Sequence, residues 1–66
     1  MKYNYTQHMF MTGQTIHAVL KKYNNMVADD DTLSALVDEF NKINNNAVPR
    51  IGSVLQIPVL ENDEEN

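Results

Sequence analysis

The sequence predicts an α+β domain of order βααβ, in which a two-stranded antiparallel sheet carries two helices packed on one face. Three observations predict it. Two internal segments repeat an apolar i, i+3, i+4, i+7 spacing, which places those side chains on one helical face. Short alternating segments precede the first helix and follow the second. With just two strands available, each must pair with the other, and a lone ribbon needs the helices' apolar faces to be stable.

In chain order, "YTQHMFMTG" alternates as a strand does, with His8 and Phe10 pointing one way, Met9 and Met11 the other, and Gly13 ending it. In "TIHAVLKKYNN", Ile16, Val19, Leu20 and Tyr23 form the apolar stripe of the first helix. Lys21 and Lys22 suit its negative C-terminal end, and Asn24 and Asn25 suit the left-handed conformation that ends a helix. The second helix, in "TLSALVDEFNKINN", has Leu33, Leu36, Val37 and Phe40 on its stripe and Asp38, Glu39 and Lys42 on its other side. Asp29, Asp30 and Asp31 stand before it, where a carboxylate accepts hydrogen bonds from free N–H groups; a calcium loop would require further alternating oxygen ligands and a glycine.

After an Asn-rich loop and Pro49 comes "GSVLQIP", a turn glycine, an alternating strand and a proline stop. Leu55 and Ile57 share one face, Val54 and Gln56 the other. The domain is expected to span 8–60, between an N-terminal arm, 1–7, and an acidic tail, 61–66, whose "ENDEEN" has no apolar residue.

Composition excludes several functions. A chain of 66 residues with 42% hydrophobic content makes one small core, and with no cysteine it has neither a disulfide framework nor a thiolate metal site. A formal net charge of -4 with five scattered basic residues argues against nucleic acid as a partner. No segment is long and apolar enough for a membrane span or reads as a signal peptide, so the expected location is the cytoplasm as synthesised.

No enzyme constellation is present: Ser34 and Ser53 have no positioned His and Asp, and Asp38 and Glu39 face solvent. His8 and His17, without Cys or a converging carboxylate, do not make a ligand set, and no cofactor is expected. Met9, Met11 and Met26 are candidates for a contact surface, because methionine adapts to irregular partners.

The residues in this order resemble a LysM domain. "HMFMTGQTIHAVLKKY" is similar to the family's opening pattern at Phe10, Gly13, Thr15, Ile16, Val19 and Tyr23. "VDEFNKI" resembles its second-helix ending at Asn41 and Ile43, and "GSVLQIP" its closing pattern at Gly52, Leu55, Ile57 and Pro58. The chain departs from the family at Gln14, where Asp is usual, at His8, where Tyr is common, and in a longer connection over Met26 to Asp31.

The resemblance implies two functions. Small free-standing LysM-like proteins act as structural parts of contractile phage tails and baseplates, which implies a virion adaptor working through contacts with other structural proteins. The family's better-known activity is binding N-acetylglucosamine-containing glycans such as peptidoglycan or chitin. Its groove would fall between the loops Gly13 to Ile16 and Ile43 to Val48, where Gln14, Thr15, Asn44, Asn45 and Asn46 would supply polar groups around an apolar floor.

Overall fold

The computed structural model of the chain describes residues 2–24 and 29–61. Strand β1 spans Tyr3–Met9, helix α1 Ile16–Asn24, helix α2 Asp30–Ile43 and strand β2 Val54–Leu60. The order is βααβ and the strands pair antiparallel, from Tyr3 opposite Leu60 to Met9 opposite Val54. Both helices pack against β2 and against each other, while the backbone of β1 lies against β2 alone among these elements.

Five residues of the expected N-terminal arm therefore belong to the sheet. Tyr3, Tyr5 and Thr6 favour extended backbone, and the strand ends at Met9, before the turn that holds Gly13. Expectations for Asn25, Met26 and the tail beyond Glu61 fall outside the described residues.

Pro58 does not stop β2. The Phe10 N–H donates to the Ser53 carbonyl at 2.8 Å and the Glu61 N–H to the Lys2 carbonyl at 3.0 Å. Even-numbered positions of β1 and odd-numbered positions of β2 thus turn their main-chain groups towards each other. Pro58 sits opposite Tyr5 in a non-hydrogen-bonded pair, where its missing N–H costs the ladder nothing, and the strand runs on to Leu60.

The outer edge of β2 is closed by two asparagines at the ends of the helices. Asn24 is not left-handed, as the sequence suggested, but the buried last residue of α1. Its Nδ2 donates to the carbonyls of Leu20 at 2.8 Å and Pro58 at 3.2 Å, and its Oδ1 accepts from the Leu60 N–H at 2.8 Å. Asn44 repeats the device after α2: Nδ2 donates to the carbonyls of Phe40 and Gln56, both at 2.9 Å, and Oδ1 accepts from the Gln56 N–H at 3.0 Å. A primary amide has two donors and an acceptor, so each side chain both caps a helix carbonyl and pairs with strand backbone.

Phe10, Val19, Leu20, Leu36, Phe40 and Ile57 form the core, all essentially inaccessible to solvent. Phe10 and Phe40 meet edge to face, 6.3 Å between centroids. The helix stripes face this core as their spacing predicts.

Asp29 is the N-cap of α2, its carboxylate accepting from the Thr32 N–H at 2.9 Å and the Thr32 hydroxyl at 2.8 Å. These bonds, the backbone one foremost, hold its carboxyl below the ordinary Asp range.

Replacing Asn24 with Leu keeps much of the volume but strands the Pro58 carbonyl and the Leu60 N–H. The expected loss is about 1–3 kcal/mol for each group left unpaired, read by urea denaturation; unchanged stability would show that the strand edge needs no partner. For Asp29, a lowered folded pKa means its stabilisation is present above the unfolded value and lost as pH falls through the folded one. The stability gap between the wild type and Asp29→Ala should therefore narrow on acidification through the carboxylate range, in melts recorded as a function of pH; a constant gap would contradict the cap's charge dependence.

Candidate functional site

The loop after β1 and the loop before β2 meet at one end of the molecule. Each contains a turn with glycine at its third position and positive φ, +83° at Gly13 and +89° at Gly52. In the first, the Gln14 N–H donates to the Met11 carbonyl at 3.2 Å; in the second, the Ser53 N–H donates to the Arg50 carbonyl at 2.8 Å. A side chain closes each turn, with Gln14 Oε1 accepting from the Met11 N–H at 2.9 Å and Ser53 Oγ from the Arg50 N–H at 3.0 Å. Phe10 joins the two, donating to the Ser53 carbonyl and accepting from the Gly52 N–H at 2.7 Å.

The end of α2 completes this surface. Asn44 donates its N–H to the Phe40 carbonyl at 3.1 Å, and the Asn46 N–H reaches back to the Asn41 carbonyl at 2.8 Å, a Schellman closure. Asn45 and Asn46 both have positive φ, 55° and 57°, a conformation asparagine tolerates better than most residues.

The fold already uses most of the polar side chains expected to face a ligand. Gln14 Oε1 also lies 2.9 Å from His8 Nε2, and His8 Nδ1 lies 2.8 Å from the Tyr23 hydroxyl. An amide oxygen can only accept, so Nε2 carries the proton towards Gln14, and in the neutral ring Nδ1 accepts from Tyr23. His8 is half-buried, with its ring edge to face against both Phe10 and Tyr23. Thr15 Oγ1 accepts from the Ala18 N–H at 3.1 Å and caps α1, Ile16 packs against the core, and Asn44 is committed to β2. Asn45 and Asn46 remain exposed, as does Gly13.

Beside exposed Thr12, Asn45, Asn46 and Arg50, this end presents several apolar side chains to solvent. Met9 and Val54, cross-strand partners, are 53% and 51% exposed; Met11 and Ile51, one step further along the loops, are 55% and 72% exposed. Val48, in the loop after α2, is 73% exposed. Met9 and Met11 were legible as an outward pair from strand alternation. Ile51 and Val48 were not, although an apolar residue beside a turn glycine, as in "RIGS", is a usable signal.

No family model, curated protein or solved structure matches the chain.

Elsewhere, a groove of about 330 Å³ between the helices is lined by His17, Asp30, Leu33, Ser34, Val37 and Asp38. Among the described residues, no three His, Cys, Asp or Glu side chains converge as metal ligands, and no helix is long and apolar enough to cross a membrane.

Two substitutions separate the roles within the loop end. Gln14→Ala removes the acceptor for the Met11 N–H and His8 Nε2, and should cost about 1 kcal/mol and speed exchange of the Met11 amide. Ile51→Ser should change stability by less than about 0.5 kcal/mol, because the side chain is exposed. Comparable losses in both would mean Ile51 packs in solution.

Proposed function

We propose that the protein is a non-enzymatic LysM-like adaptor that works through protein–protein contact at its loop end. The observation that carries this reading is the apolar set Met9, Met11, Val48, Ile51 and Val54, held outwards by a hydrogen-bonded scaffold. Exposed apolar side chains grouped at one end of a small domain suit burial against another protein. The LysM resemblance supplies the setting: a structural part of a contractile phage tail, a baseplate or a related assembly.

The second reading is binding of peptidoglycan or chitin. One observation favours it: of the loops that the resemblance singles out, 13–16 is bonded to β1 through Gln14 and His8, and 43–48 to the paired strand β2 through Asn44. Against it, Gln14 Oε1, Thr15 Oγ1 and both ends of the Asn44 amide already have partners inside the fold. A sugar's N-acetyl and hydroxyl groups would then meet chiefly Asn45, Asn46, exposed backbone and the Gln14 amide nitrogen.

Amide shifts of the labelled protein, titrated with chitin oligomers and peptidoglycan fragments, decide between the two. The adaptor reading expects no shifts in 13–16 and 43–48 at millimolar sugar; saturable shifts confined to those loops would replace it with the glycan reading. In the native host, the wild-type chain should sediment with a large assembly, and the double variant Met11→Ser, Ile51→Ser should remain folded yet sediment as free protein. Normal incorporation of that variant would remove the loop end as the contact surface.

A further inference from the structure

The charges of this chain are segregated. Every Asp and Glu lies in the stretches 29–39 and 61–65, whereas 9–15 and 44–54, which build the loop end, contain no carboxylate and one charged residue, Arg50. It is also the single arginine of the chain. Among the described residues the acidic groups lie away from it. Asp29 caps the start of α2, roughly 20 Å along the helix from its loop-end terminus at Ile43. The Glu39 carboxylate accepts from the Tyr5 hydroxyl on β1, and the Glu61 N–H bonds to the Lys2 carbonyl, at the far end of the sheet from Met9 and Val54.

Arg50 is fixed in position and has a free side chain. Its N–H donates to Ser53 Oγ at 3.0 Å and its carbonyl accepts from the Ser53 N–H at 2.8 Å, so the turn sets where the side chain leaves the backbone. Among the described residues the exposed guanidinium has no hydrogen bond or ion pair, and exposed Val48 and Ile51 stand on either side of it in sequence. We propose that Arg50 is the polar anchor of the loop-end contact, and that the partner is a different protein whose facing surface is apolar and presents an Asp or Glu carboxylate. This inference rests on the adaptor reading and adds the partner's chemistry to it.

Burying Met11, Val48 and Ile51 takes water from the guanidinium among them, so the partner must supply an anion or leave a buried charge unpaired. Charge decides which anion. A polyanion such as nucleic acid draws its affinity from several cations, and here one cation faces it with a formal net charge of -4 on the whole chain. A single carboxylate in an apolar surface matches a single guanidinium, whose planar fork pairs with it through two hydrogen bonds and whose weak hydration suits burial. The same face of a second copy has no carboxylate to offer. Docking on the acidic α2 of a second copy would be a heterologous contact that repeats without closing, adding like charge with each copy. The acidic remainder of the chain repels a carboxylate-bearing surface, so the loop end is its line of approach and the orientation of docking is fixed.

The test adds Arg50 variants to the sedimentation of the full chain with its native assembly. Arg50→Gln should weaken binding by roughly tenfold or more, Arg50→Glu should leave the chain free, and Arg50→Lys should fall between Arg50→Gln and the wild type. Each should keep the wild-type urea midpoint, because the bonds that Arg50 makes in its turn are main-chain ones. The amine introduced by Arg50→Lys, treated with a carbodiimide in the assembly, should form an amide with an Asp or Glu side chain of another protein, read by mass spectrometry of the linked peptide. Wild-type binding by Arg50→Gln and Arg50→Glu, alongside release of the Met11→Ser, Ile51→Ser variant, would overturn the carboxylate anchor and leave the adaptor reading standing. A link to a second copy of this chain, to a peptidoglycan stem peptide or to no carboxylate at all would overturn the proposed partner. A wild-type chain that never sediments with an assembly would overturn both readings.

Discussion

The fold depends on satisfying the helix-side edge of β2. That strand runs between β1 and the helix pair, with Ile57 and Pro58 both buried, so its outward main-chain groups are shielded from water and each unpaired one would be costly. Among the described residues no third strand exists to take them. Asn24 and Asn44 supply the missing hydrogen bonds from the last turn of one helix and the cap of the other, while each also donates to a carbonyl in the last turn of its own helix. Two side chains thereby set where each helix stops and how it docks on the strand. Among the described residues, a core of six buried apolar side chains then suffices, because the position of each helix along β2 is fixed by directional bonds as well as by packing.

The same economy shapes the loop end. Gln14 completes the first turn and bonds to His8, while His8 bonds to Tyr23 and so couples β1 to the end of α1. On the other side of the sheet, the Tyr5 hydroxyl donates to the Glu39 carboxylate at 2.6 Å, and that bond is the largest cause holding the phenol above its usual pKa. Tyr3 is also raised, first by burial and then by the negative charges of Glu39 and Asp38. β1 is thus fastened to both helices by side chains, although its backbone touches neither.

Side-chain periodicity made much of this legible. The stripes Ile16, Val19, Leu20, Tyr23 and Leu33, Leu36, Val37, Phe40 located both helices, the aspartates located the start of the second, and elimination paired the strands. Periodicity reports which face a side chain occupies and says nothing about which main-chain groups face a ladder. That is why Pro58 read as a terminator, when the register gives it a place needing no N–H, and why 3–7 read as an arm when Tyr3 and Tyr5 extend the sheet. The asparagines were opaque for a related reason. Asn24 in "YNN" and Asn44 in "INNN" resemble any polar helix end, and just the long-range bonds to Pro58, Leu60 and Gln56 set them apart. The asparagine that joins α2 to β2 is Asn44, three positions after the Asn41 singled out by the motif.

These internal commitments bear on recognition. A side chain already paired within the fold must give up a bond before it can serve a ligand, so Gln14 Oε1, Thr15 and Asn44 are poor sources of new binding energy. What they provide is rigidity. Two glycine turns and a Schellman closure fix the backbone beneath Met11, Ile51 and Val48, which lowers the ordering cost a partner would otherwise meet on binding flexible loops. The methionine side chains retain their own rotational freedom and can adapt to the partner's shape. A rigid backbone bearing adaptable apolar side chains binds through shape and burial, which is the demand made by a protein surface and differs from the dense polar pairing that a sugar requires.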